Sequence, residues 1–116
     1  MTLPRDALLL RIFIGEDDKY QGRPLYESIV MGARQAKLAG ATVLRGPMGF
    51  GHSSRLHTTK ILRLSEDLPL VIEIVDSEER IRAFLPALDA MMGGGLVTLE
   101  KVQVLQYGSD VRRAPA

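Results

Sequence analysis

A chain of 116 residues with 46% hydrophobic and 25% charged side chains has the makeup of one ordinary folded domain, which leaves no room for a second. The absence of cysteine excludes disulfide frameworks and thiolate metal sites. A formal net charge of +1 argues against a broadly basic nucleic-acid surface, although Arg112-Arg113 leaves a short basic tail, so nucleic acid is not an expected partner.

The start, Met1-Thr2-Leu3-Pro4-Arg5-Asp6, lacks a basic region followed by a long apolar one. No later run reaches the roughly 18 apolar residues of a spanning helix. A cytoplasmic location is the resulting expectation. Ala7 to Gly15 is an apolar run broken only by Arg11, with the length and the β-branched and aromatic content of a buried strand. Glu16-Asp17-Asp18-Lys19 then reads as a solvated polar turn. Pro24 suits the first turn of a helix, where its missing N–H has no intrahelical partner. That helix is expected to run to about Ala39, with Gly40 as its C-terminal cap. Leu25, Ile29, Gly32, Ala33 and Ala36 fall near helical spacing, and their small size would let the helix sit close to a sheet.

Ala41 to Leu44 begins a second strand and leads into the most distinctive stretch of the chain, Arg45 to His57. This stretch holds both histidines, three glycines and two arginines. Glycines let a backbone approach a ligand, arginines offer charged donors, and histidines titrate near neutral pH. A third strand covers Leu70 to Val75, with Pro69 at its start. Asp76 and Glu79 have the spacing of a capping box before a second helix, whose apolar positions include Ile81, Phe84, Leu85, Leu88, Met91 and Met92. Pro86 inside that helix removes the backbone bond to Arg82, so a kink is expected there. Gly93-Gly94-Gly95 ends the helix. The last strand, Leu96 to Tyr107, changes phase between Val97/Leu99 and Val102/Val104, which a bulge near Glu100-Lys101 would reconcile.

Strand, helix, strand, strand, helix, strand is the double split βαβ order of an α+β, ferredoxin-like domain: a four-stranded antiparallel sheet with two helices on one face. One domain spans 1–116, with a core at about 7–107, a flexible loop at about 46–60 and a tail at 108–116. The first strand is apolar at both parities, so the face without helices needs a cover, and a homo-oligomer supplies one economically. Arg11 and Glu73, mid-strand on adjacent strands, are expected to pair on that face.

Several segments carry a resemblance to a known family. They are Gly15-Glu16-Asp17, Pro24-Leu25-Tyr26, Ala39 to Gly46, Gly49-Phe50-Gly51, Asp67-Leu68-Pro69 and Gly95 to Val102. Over about Leu8 to Tyr107 the chain resembles the PII-like signalling proteins, in particular the branch filed as a domain of unknown function. The resemblance implies a homotrimer whose three sheets pack around a central axis, with ligand pockets in the clefts between subunits. It further implies a regulatory protein and not an enzyme, one that binds a small anionic effector such as an adenine nucleotide (AMP, ADP or ATP). The partner it implies is a membrane transporter or channel, controlled through the 46–60 loop.

Carried over by residue, the ligand-binding positions are Arg45, Gly46, Gly49, Phe50, Gly51, Gly93, Gly94, Gly95 and Lys101, with His52, Arg55 and His57 as loop residues that read occupancy. Consecutive glycines can turn several N–H groups toward a phosphate. PII proteins follow their second glycine loop with an aspartate and a lysine, whereas this chain continues Leu96-Val97-Thr98 and supplies Lys101 only later. Arg112 and Arg113 could replace the missing phosphate contacts from the C-terminal end, although terminal residues are usually mobile. The alternative is a trimeric divalent-metal protein of the cation-tolerance type with His52 and His57 as ligands, which the lack of cysteine weakens for soft metals. Gly46-x-x-Gly49-x-Gly51 does not match the spacing of a dinucleotide loop, and no lysine-bearing phosphate loop or nucleophile elbow is present.

Overall fold

The computed structural model describes residues 3–51, 57–58 (as backbone) and 67–111. In chain order the elements are β1 (Asp6–Gly15), β2 (Lys19–Tyr20), β3 (Arg23–Pro24), α1 (Leu25–Gln35), β4 (Thr42–Arg45), β5 (Met48–Gly49), β6 (His57–Thr58), β7 (Pro69–Asp76), α2 (Glu78–Met91), β8 (Leu96–Gln103), β9 (Gln106–Tyr107) and β10 (Asp110–Val111). Four of them form the main sheet in the order β4-β7-β1-β8, with every pair antiparallel. This is the ferredoxin-like arrangement expected from the element order.

Period-two alternation decides which side chains enter the core. Leu8, Leu10, Ile12 and Ile14 of β1 lie beside Leu70, Ile72 and Ile74 of β7, and both sets face the helices. From above, α1 contributes Leu25, Ile29 and Ala33, and α2 contributes Ile81, Phe84 and Leu88. Leu10, Ile12, Ile29, Ile72, Ile74, Ile81 and Leu88 are fully buried, and truncating any one to alanine costs about 2–5 kcal/mol. Gly32 lies against Phe84 and Met91 of α2, so its small size serves the helix–helix contact and not a helix–sheet contact.

The other sheet face carries Leu9, Arg11, Phe13, Val71, Glu73, Val75, Leu96, Thr98, Glu100 and Val102. No helix covers it. Arg11 Nε donates to Glu73 Oε2 at 2.8 Å, as expected, and Arg11 Nη1 also reaches Glu100 Oε1 at 3.3 Å. The hydrogen bond to Glu73 is the main cause that pushes the Arg11 guanidinium above its ordinary pKa; desolvation opposes it, and the two carboxylate charges add to it.

Four local expectations change. First, α1 ends at Gln35 and not near Ala39. Its stop is a Schellman motif in which Lys37 takes a positive φ of 60°, with Lys37 N–H to Arg34 O at 3.0 Å and Leu38 N–H to Ala33 O at 3.1 Å. Gly40 is therefore not the cap. Second, Pro24 is the residue before the helix, with an extended ψ of 129°, and closes a small hairpin that the sequence reading missed. Gln21 and Gly22 at its tip both have positive φ, as a type I′ turn requires.

Third, the cap of α2 is Ser77, whose hydroxyl accepts from Arg80 N–H. Asp76 instead is buried and accepts from Ala39 N–H at 2.9 Å and Ser77 N–H at 2.6 Å, fastening the approach to β4 onto the start of α2. Arg80 adds an ion pair to the same carboxylate at 3.4 Å. Fourth, β8 pairs with β1 without interruption from Leu96 to Gln103, so there is no bulge at Glu100-Lys101. Val97 and Leu99, opposite Ile12 and Leu10, lie on the helix side of the sheet; Val102 lies on the uncovered face of the same strand, and Val104, past its end, packs with Leu3 and Ala7. α2 is assigned from Glu78 to Met91 with Pro86 inside it.

Candidate functional site

Three loops meet at one end of the sheet. There β1 exits at Gly15, β4 exits at Arg45, β7 begins at Pro69 and β8 begins at Leu96, which puts Glu16, Gly46 and Gly95 at a common end. Gly46 N–H donates to Pro69 O at 2.8 Å, and a Cβ on Gly46 would sit 3.0 Å from Pro69 Cγ. Gly49 has the same neighbour, at 3.2 Å. Both glycines thus let the chain leaving β4 pass tightly over Pro69 before the β5–β6 pairing of Met48 with Thr58 and Gly49 with His57. Phe50 follows with 71% of its surface exposed, and Gly51 is open.

The turn after β1 is pinned, not merely solvated. Gly15 N–H donates to Asp18 Oδ2, Asp17 N–H to Asp67 Oδ1, and Glu16 N–H to Leu68 O, each at 2.8 Å. Arg45 reaches across the start of β7 to form an ion pair with Glu16. In the sequence Asp18 is legible only as part of a polar turn and Asp67 only within a family-like segment, with no role in pinning the turn assigned to either. An aspartate three residues after a glycine at a strand end was the available signal for Asp18, whereas Asp67 is fifty residues away in the chain and had none.

The three glycines after α2 divide into two kinds. Gly95 has φ +97°, and a Cβ there would lie 2.6 Å from Phe13 O and 3.1 Å from Met92 Cε. It is a packing glycine. Gly93 and Gly94 have nothing within 4 Å of an added Cβ, so they lie open. Among the candidates, Arg45 and Gly46 stand on the β4 edge and Gly93 to Gly95 on the β8 edge. Three strand spacings separate them, about 14 Å. Lys101 lies six residues along β8 from Gly95, opposite Leu8, about 20 Å toward the other end of the sheet. A single chain therefore does not bring Lys101 to the other candidates. His52 and Arg55, together with Arg112 and Arg113, lie outside the described residues; His57 is placed by its backbone in β6. Among the described residues no group of three His, Asp or Glu side chains is suited to a metal ion.

A recess of about 750 Å³ is an open hollow at the far end of the uncovered face. Leu9, Val75 and Val102 form its floor and Tyr107 one wall. The Tyr107 hydroxyl donates to Ala39 O at 2.7 Å, tying the C-terminal hairpin β9–β10 to the segment that enters β4.

A model of the family described as an uncharacterized ACR, DUF190, matches residues 7–104. The chain belongs to the DUF190 family. A UPF0166 protein of Aquifex aeolicus is 40% identical over 97 residues, covering 84% of this chain and 91% of that protein. A second UPF0166 protein, from Methanocaldococcus jannaschii, is 35% identical over 99 residues, with 84% and 91% covered. In three dimensions this DUF190 chain is similar to CPII, a nitrogen regulatory PII-like protein from Thiomonas intermedia K12. The TM-score is 0.62 at 21% identity, over 85% of this chain and 88% of that one. That structure holds ADP, AMP and bicarbonate. At this identity the likeness establishes the fold, which is PII-like. No helix among the described residues of the DUF190 chain is long and apolar enough to cross a membrane.

Proposed function

We propose that this protein is a trimeric regulatory protein that binds a small anionic effector, an adenine nucleotide, between subunits. What carries this reading is the placement of open Gly93 and Gly94 on one sheet edge and of Arg45 and Gly46 on the other, at the same end of the sheet. No motion within one chain brings two opposite edges together. A neighbouring copy rotated about an axis parallel to the strands does: its β4 edge then stands beside this copy's β8 edge, with both loop sets at one end. The uncovered face supports the same assembly, because Phe13, Leu44, Leu96 and their neighbours lie on the side that would face the axis.

In this arrangement the backbone N–H groups of Gly93 and Gly94 donate to phosphate, Arg45 supplies charge from the adjacent subunit, and Gly46, Gly49 and Gly51 let the 46–60 loop move over the ligand. The exposed Phe50 and the loop then report occupancy to a partner, for which a membrane transporter or channel is our choice. Fold kinship with CPII, whose structure holds ADP and AMP, supports the nucleotide class. Lys101 lies too far along β8 to join Gly93 and Gly94 in its own chain, so Arg45 is the principal cation of the proposed site. The chemistry is recognition: positioned donors without a nucleophile or base assigned to a reaction. Calorimetric titration of a trimer, verified by light scattering, with AMP, ADP and ATP tests it. Saturable binding that Gly94→Asp abolishes while leaving the fold intact is the expected result. A stable monomer, or a trimer that binds none of the three nucleotides, overturns it.

A further inference from the structure

Arg45 does not stand free at the loop base. Its guanidinium donates to a carboxylate oxygen of Glu16, and the two partners differ in how they are held. Glu16 sits on the turn after β1, with its own N–H on Leu68 O. Its neighbours Gly15 and Asp17 are fixed by the carboxylates of Asp18 and Asp67. Gly15 is pressed so closely that a Cβ would lie 2.6 Å from Asp67 Oδ1. Arg45, by contrast, ends the four-residue edge strand β4, where the chain turns into the loop. Its side chain is 60% exposed against 22% for Glu16. The carboxylate is the fixed member of the pair and the guanidinium the movable one.

A carboxylate offers a guanidinium the same two-oxygen acceptor geometry that a phosphate does. Resting on the reading that Arg45 binds an anionic effector, we infer that Glu16 is a built-in competitor for that effector. It holds Arg45 in the empty protein and must release it when phosphate arrives. Glu16 thereby sets the affinity of the site and its selectivity. Exchanging one singly charged carboxylate for another small monoanion gains nothing at Arg45. A phosphate group carrying close to two charges gains, because its pull on the guanidinium exceeds that of Glu16. Among the described residues the acid paired with Arg45 is Glu16, while Asp18 and Asp67 accept the N–H groups of Gly15 and Asp17.

The test is calorimetric titration of ADP into the wild-type chain, Glu16→Gln, Glu16→Ala, Arg45→Ala and the double variant Arg45→Ala/Glu16→Gln, each with its melting temperature. Removing the competitor is expected to tighten ADP by about 2–5-fold in both Glu16 variants, the size expected from releasing an exposed ion pair. The gain should vanish in the double variant, which should bind as weakly as Arg45→Ala. If wild type binds ADP and both folded Glu16 variants bind it equally or more weakly, Glu16 is a brace that positions Arg45 and the inference is overturned while the nucleotide reading stands. If ADP binds none of the folded proteins, both fall together.

Discussion

Replacing Gly95 by alanine separates the packing role of the glycine run from its proposed ligand role. The new Cβ would lie 2.6 Å from Phe13 O, a backbone atom of the central strand that cannot move without disturbing β1. It would also meet Met92 Cε at 3.1 Å and Ile14 Cγ2 at 3.3 Å, and alanine would have to hold φ +97°. Positive φ for a residue with a Cβ costs about 1–3 kcal/mol and forced overpacking a further 1–3, while the lower entropy of the unfolded alanine chain returns about 0.4–1. The net loss is about 1–5.5 kcal/mol. An unfolding entropy of about 2.1 cal/mol/K per residue over 116 residues makes each kcal/mol worth about 4 °C, so Tm should fall by about 4–22 °C. Thermal unfolding followed by circular dichroism at fixed protein concentration measures it. Gly93→Ala and Gly94→Ala serve as controls, since open space surrounds both positions, and should stay within about 2 °C of wild type. A Gly95→Ala protein that melts with these controls would refute the close approach of Gly95 to β1.

Asp76→Ala should be the most damaging polar substitution. It strands the N–H groups of Ala39 and Ser77 and unpairs Arg80, at about 3–5 kcal/mol by urea denaturation; a loss under 1 kcal/mol would mean that water replaces the carboxylate. Ser77→Ala should cost about 1 kcal/mol in the same assay through loss of the α2 cap. Phe13→Asp places a charge on the uncovered face; under the proposed assembly, analytical ultracentrifugation should find the wild-type chain trimeric and this variant monomeric. Glu73→Ala should cost a monomeric variant less than about 1 kcal/mol, because the pair with Arg11 is partly exposed there, and several times more in an assembly that buries Arg11.

The main elements were legible because their signals are local and redundant. The even-numbered residues of β1 and the Leu70–Ile74 run carry the period of two, and Ile81, Phe84 and Leu88 the period of a helix. Arg11 and Glu73 could be paired from topology alone. Boundaries failed where one bond outweighed a composition cue. Lys37, not Gly40, takes the left-handed position, because Leu38 beside it turns into the core and completes the stop. The apparent bulge in β8 was two different environments read as one strand. Asp76 looked like a cap because its spacing to Glu79 is right, yet its partners are the backbone of Ala39, thirty-seven residues earlier, and Ser77. At the candidate site the glycines and Arg45 were visible, whereas the Glu16 partnership was not. It depends on β7 standing between β4 and β1, a fact of sheet order that no local pattern encodes.

The unequal edges of the sheet have a consequence of their own. β4 presents an edge four residues long and β8 one eight residues long, so these are different surfaces, and a contact between the two is head-to-tail and not isologous. When the β8 edge of one copy meets the β4 edge of the next, each added copy again presents a free β8 at one end and a free β4 at the other. Such a head-to-tail series has two fates: the rotation per copy brings the last edge back to the first and forms a ring, or it misses and the series grows into a fibre. In the proposed assembly the twist of this sheet decides between the two. Substitutions that change the strand geometry near β4 or β8 are the ones to check for filaments.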